Sequence, residues 1–140
     1  MNGAQSALNT FLPLYSVLVA RGDAGRWRVF VDALQDTGRV ILTEVDSAAA
    51  ARQFLEDNRV AAVLIDADLA DGRRGADFLR ELSMAHPFVN TALVSGLSAE
   101  DFHESTEGFG VFMQLPTVPD GRTVTEFLEK LDIISRLSAS

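Results

Sequence analysis

The chain has no cysteine, which excludes disulfides, thiolate catalysis and cysteine-bound zinc. It has two histidines, His86 and His103, so a histidine-rich metal site is excluded as well. Lysine occurs once, at Lys130. No apolar run reaches the ~18 residues that span a bilayer. No basic segment precedes the first apolar stretch, so a signal peptide is not indicated. Positive charge is in short supply: 12 Lys and Arg stand against 20 Asp and Glu, a net charge of −8 with a pI near 4.6. Such a surface repels phosphate backbones and anionic lipid, so neither nucleic acid nor a membrane is an expected partner. What is present is ordinary for a globular protein, with 47% apolar and 23% charged residues in 140. That length suits one domain with a real core. The expectation is a soluble protein of the cytoplasm.

The stretch that organises the rest is Val60–Asp68, Val-Ala-Ala-Val-Leu-Ile-Asp-Ala-Asp. An apolar run ending in charge predicts a strand over 60–66, buried on both faces. Residues 1–12 read as a short N-terminal arm and 13–140 as the folded domain. Tyr15 to Ala20 predicts the first strand, and Trp27, Phe30, Val31 and Leu34 recur at helical spacing up to Thr37-Gly38. Val40–Thr43 predicts a second strand, and Asp46 or Ser47 caps an alanine-rich helix through Glu56. After the 60–66 strand a loop with Gly72 leads to a helix from about Gly75 to His86-Pro87. Asn90–Ser95 is a fourth strand. Ser98 caps a short helix, and Val111–Leu115 is a fifth strand. Thr123 with Glu126 predicts the capping box of a last helix running to about Leu137. Five strands alternating with five helices predict a parallel sheet covered on both faces.

In such a sheet, ligands bind beyond the carboxyl ends of the strands, which places Asp66 at the mouth of any site. Aspartates also follow strands simply because loops need short polar residues, and for one Asp alone that plain reading is the default. The order of the flanking features adds to it. Phe30, Leu34 and Gly38 follow Val17-Leu18-Val19, Leu64-Ile65-Asp66 ends the third strand, and Ser95-Gly96 ends the fourth. Phe112 lies in the fifth strand and Leu115-Pro116 ends it. With these residues the chain resembles, over about 15–137, the receiver domain of bacterial response regulators.

That resemblance implies a flavodoxin-like fold with strand order 2-1-3-4-5. It implies a phosphoacceptor position at Asp66, a hydroxyl at Ser95, a state-reporting aromatic at Phe112, and a histidine kinase or other protein as partner. It also implies an acidic pair that helps to hold Mg²⁺, and a lysine that contacts the phosphoryl group. Here the acidic pair is Arg21-Gly22, with Asp23 one place later, and the lysine is Leu115. Arg21 facing a divalent cation would repel it, and Arg21 pairing with Asp66 would occupy the acceptor. The reading is therefore a divergent receiver with no cofactor, Mg²⁺ being doubtful. It acts mainly through protein contacts, with Asp66 as the acceptor position and Arg21, Gly22, Asp23, Asp68, Ser95 and Leu115 lining it. A receiver still phosphorylated at Asp66 through a non-standard site is the alternative. The apolar fifth strand, with Phe109, Val111, Phe112 and Met113, predicts a homodimer or partner contact through the face of the fourth helix, fifth strand and fifth helix.

Asp66-x-Asp68 after a buried strand also begins phosphatases of the haloacid dehalogenase type. Those need a lysine and further carboxylates downstream, and Lys130 lies deep in the last helix. A flavin carrier would need a Ser/Thr-rich phosphate loop after the first strand, which is missing. Asp71-Gly72-Arg73-Arg74-Gly75 lacks the Gly-Lys-Ser/Thr of a Walker loop and reads as a polar turn. Ser95 is not a nucleophile elbow, because it lacks the Gly-x-Ser-x-Gly context. His103 and His86 read as ordinary helix residues, and Trp27 with Phe30 as core. The expectation is a signalling module and not an enzyme.

Overall fold

A computed structural model describes residues 13–139, so the expected arm, residues 1–12, lies outside the described residues. The strands are β1 (Tyr15–Ala20), β2 (Val40–Val45), β3 (Ala62–Ile65), β4 (Asn90–Val94) and β5 (Val111–Leu115). They form one parallel sheet in the order β2-β1-β3-β4-β5. Five helices alternate with them: α1 (Ala24–Asp36), α2 (Ala48–Asp57), α3 (Gly75–Ala85), α4 (Ala99–Thr106) and α5 (Gly121–Ala139). This is the expected flavodoxin-like (βα)5 arrangement.

The two-residue period of the strands divides the core. Val17, Val19, Ala62, Leu64, Ala92 and Val94 face α1 and α5, where Trp27, Phe30, Phe127 and Leu131 meet them. Leu18, Ala20, Val63, Ile65 and Leu93 face α2, α3 and α4. Asp66 continues the alternation one step past β3, which carries it to the α1 face. Its N–H still donates to Ala20 O at 2.8 Å, prolonging the ladder with β1.

Two boundaries differ from the sequence reading. β3 is shorter than 60–66. α5 starts at Gly121 because Asp120, not Thr123, holds its amino end. Asp120 Oδ1 accepts from the Thr123 N–H at 3.2 Å, and Thr123 Oγ1 accepts from the Asp120 N–H at 3.1 Å. The reciprocal capping pair therefore sits one turn earlier than Thr123–Glu126 implied. In β5, Thr91 pairs with Val111 and Ala92 with Met113, which leaves Phe112 as the extra residue of a bulge. The bulge turns its ring onto Phe127, with centroids 6.0 Å apart. Among the described residues no helix is long and apolar enough to cross a membrane.

Below the sheet, Arg39 ties β2 to α5. Its guanidinium donates to both oxygens of Asp132, at 2.7 and 3.1 Å, and the Tyr15 hydroxyl donates to the same carboxylate. The Arg39 guanidinium, partly offset by burial, holds the Asp132 carboxyl below the usual carboxylate range. A group lowered on folding stabilises above its unfolded pKa and loses that contribution as pH falls. Asp132→Asn is accordingly expected to cost about 1–2 kcal/mol at neutral pH. The difference from wild type should shrink in urea titrations carried out below the carboxylate range. A difference independent of pH would show that the ion pair is not its source.

Candidate functional site

The Asp66 carboxylate is wholly buried at the carboxyl end of β3. A charge in that position must be met by donors, because burying it unpaired is costly. Oδ2 accepts from the Trp27 indole Nε1–H at 2.8 Å and from the Gly22 N–H at 3.0 Å. Oδ1 accepts from the Ala67 N–H at 2.8 Å. The Arg26 guanidinium lies 3.7 Å from Oδ1 and is one-third exposed, so it closes the site from the solvent side.

Each donor has a local cause. Asp23 caps α1 by accepting from the Gly25 N–H at 2.9 Å, which starts the helix directly beside the strand end. Arg26 and Trp27 then fall in its first turn, against the carboxylate. The positive end of a helix favours a negative group there. Gly22 is needed for its small size: a Cβ at that position would lie 2.4 Å from Asp68 O. On the other side, Gly75 opens α3 with its N–H donating to Ala67 O at 2.8 Å.

Arg21 does not pair with Asp66, contrary to the sequence reading. Its backbone N–H bonds to Val45 O, which keeps it on the β2 side of β1, and its Nε donates to Glu44 Oε1 at 2.9 Å. The cation beside the carboxylate is Arg26 instead. Asp68 is exposed, in a loop closed by an antiparallel bridge to Arg74. Ser95 Oγ accepts from the Leu97 N–H at 3.1 Å, and Gln114 Nε2 holds the Ser95 and Leu97 carbonyls at 3.0 and 2.8 Å. Leu115 is fully buried in the α1–α5 core. Phe112 packs inward on Phe127.

Sequence reasoning assigned Trp27 to the core, which is correct, and missed its polar role. The signal was available, since a buried Trp N–H normally finds an acceptor. Arg26 carried no signal beyond lying next to Trp27.

The residues do not fit a bound Mg²⁺. That ion requires a near-octahedral set of oxygens. Around Asp66 the contacts on both carboxylate oxygens are N–H donors, Gly22 offers no side chain, Arg21 is turned to Glu44, and Asp23 caps a helix. Among the described residues no three or more His, Asp or Glu gather to hold a metal. Chemically, the arrangement holds a carboxylate still and keeps water from it.

No protein-family model and no curated protein matches this sequence. Solved structures do match in shape. NtrX from Brucella abortus superposes with a TM-score of 0.76 at 19% identity over 90% of this chain, and this chain spans 29% of that one. The CheY-like response regulator receiver domain protein from Methanospirillum hungatei gives 0.73 at 18% identity, covering 88% of this chain and 98% of the other. A sensor protein from Polaromonas gives 0.70 at 21% identity, over 86% and 98%. The strand order and the helix placement are therefore those of the fold of response regulator receiver domains.

Proposed function

We propose that this chain is a receiver-type signalling module of the cytoplasm that works through protein contacts, with the phosphoacceptor position turned into a structural anchor. The observation that carries this is the Asp66 carboxylate, with no exposure and with hydrogen bonds from Trp27, Gly22 and Ala67. Aspartyl phosphorylation needs an incoming phosphorus to reach a free carboxylate oxygen, with cations to offset the charge. Here Trp27 and Arg26 stand over one side and Leu115 replaces the second cation. The domain is thereby held in one arrangement, with its surface as the output. A phosphatase reading is weaker, because the one lysine of the sequence, Lys130, lies on α5.

The face of α4, β5 and α5 remains the contact surface this reading favours, with the partner revised. Glu100, Asp101, Glu104 and Glu107 are exposed on and beside α4, and on α5 Glu126 and Glu129 are exposed along with Arg122 and Arg136, so carboxylates outnumber cations. Two copies of so acidic a surface repel each other, whereas a basic partner face is drawn to it. A second copy of the chain is thus the less favoured occupant of this face.

Incubation with acetyl phosphate and Mg²⁺ is expected to leave the intact mass unchanged. Stoichiometric addition of one phosphate that disappears in Asp66→Asn would falsify the anchor reading and support phosphorylation at Asp66.

A further inference from the structure

The carboxyl ends of β3 and β4 open into a groove between α3 and α4 with a volume of about 400 Å³. Small-molecule sites fall in roughly the 300–1,000 Å³ range, and strand ends are where open α/β sheets take ligands. This groove is separate from the buried carboxylate. Asp66 turns toward α1, while Leu79, Leu93 and Phe102 in the groove wall belong to the core on the opposite face of the sheet.

The lining is chemically uneven. Phe102 and Phe109 supply apolar surface, Ser95 a hydroxyl, and Arg74, Arg80 and Asp68 the charges. Arg74 is exposed, and among the described residues its guanidinium has no ion pair, hydrogen bond or ring contact. Arg80 lies over the Phe109 ring, 5.9 Å from its centroid, and reaches Asp77 outside the groove at 3.6 Å. With Arg80 shared with Asp77, Arg74 is the unmatched guanidinium of the groove, beside an aromatic wall, in a chain whose net charge is −8. A neutral apolar guest would leave Arg74 unmatched, whereas an anion gains charge-assisted hydrogen bonds from it.

We propose that this groove binds a small amphipathic anion, with an aromatic or aliphatic body against Phe102 and Phe109 and a carboxylate, sulfonate or phosphate between Arg74 and Arg80. The proposal does not depend on whether Asp66 is phosphorylated.

Anilinonaphthalene sulfonate is a suitable probe, since it joins an aromatic body to one anionic group. Saturable binding of one molecule per chain is expected by fluorescence titration and calorimetry. Arg74→Glu should weaken it by about tenfold or more. Asp68→Asn should tighten it by removing the opposing carboxylate. Ala76→Phe, which fills the groove and keeps both arginines, should abolish it. Arg28→Glu, a charge reversal on exposed α1, should leave it unchanged. Circular dichroism establishes that each variant is folded. Non-saturable uptake would overturn the proposal. So would wild-type affinity in Arg74→Glu, equal loss in Arg28→Glu, or equally tight binding of uncharged phenylnaphthylamine.

Discussion

Asp66→Ala is expected to lower the free energy of unfolding by about 4 kcal/mol, because truncating one partner of a buried charged network costs ~3–5 kcal/mol. The loss comes from the groups left behind. The Trp27 indole N–H and the Gly22 and Ala67 N–H groups would face a cavity too small to supply them all with water. Trp27→Phe, which keeps most of the ring volume and removes one donor, should cost about 2 kcal/mol. In the double variant the two losses should not add, since the hydrogen bond between them can be lost only once. Urea unfolding followed by circular dichroism gives all three values. The sign is informative. A carboxylate retained for chemistry at the expense of stability leaves a more stable protein when removed. A neutral or stabilising Asp66→Ala would show that Asp66 is held for reactivity and not as an anchor.

Gly75→Ala is expected to destabilise the domain by more than about 4 kcal/mol, the range reserved for forced backbone displacement and comparable core damage. A Cβ on Gly75 would lie 1.8 Å from Asp66 O and 3.0 Å from Ile65 Cγ2. The first of these is backbone at the end of β3, so no side-chain rotation relieves the overlap. Helix α3 would have to lift from the strand end, breaking the Gly75 N–H bond to Ala67 O and disturbing the turn that supplies the Ala67 N–H to Asp66. Gly22→Ala should act in the same direction, with a contact of 2.4 Å to Asp68 O. Gly121→Ala serves as the control. No atom lies within 4 Å of its added Cβ, and a compatible Gly→Ala change is worth ~0.4–1 kcal/mol of stabilisation. Thermal melts of the three variants decide the matter, and a Gly75→Ala protein melting with the wild type would refute the close-packing account.

The fold was legible in the sequence because its signals are local and mutually consistent. The apolar run 62–65 is hydrophobic at every position, as a central parallel strand must be. Trp27, Phe30, Val31 and Leu34 mark one helical face, and Ser47 and Ser98 mark helix starts that the structure confirms through bonds to the Ala50 and Asp101 N–H groups. The misplaced start of α5 shows where local reading fails. Asp120 and Thr123 are both good capping residues, and only the point at which the backbone turns helical, Gly121, distinguishes cap from third helical position.

The site was legible in part. Sequence alone placed Asp66 at a strand end, and the resemblance to receiver domains implied carboxylates and a lysine where Arg21-Gly22 and Leu115 stand. It could not say which cation meets Asp66, because Arg21 and Arg26 are both close in sequence to the end of β1. The parity of the strand decided that Asp66 turns to the α1 face, and the pairing of Arg21 with β2 sent its side chain to Glu44. The packing of α1 against β1 and β3 then brought Trp27 and Arg26 to the carboxylate. What the chain by itself determined was the order of elements, written in residue types and spacing; that metal ligands are missing is what its resemblance to receiver domains implies. What only the tertiary structure decided was that Asp66 is sealed and hydrogen-bonded, since two of its donors, Gly22 and Trp27, lie 44 and 39 residues away in the chain and their approach depends on how the sheet and helix pack.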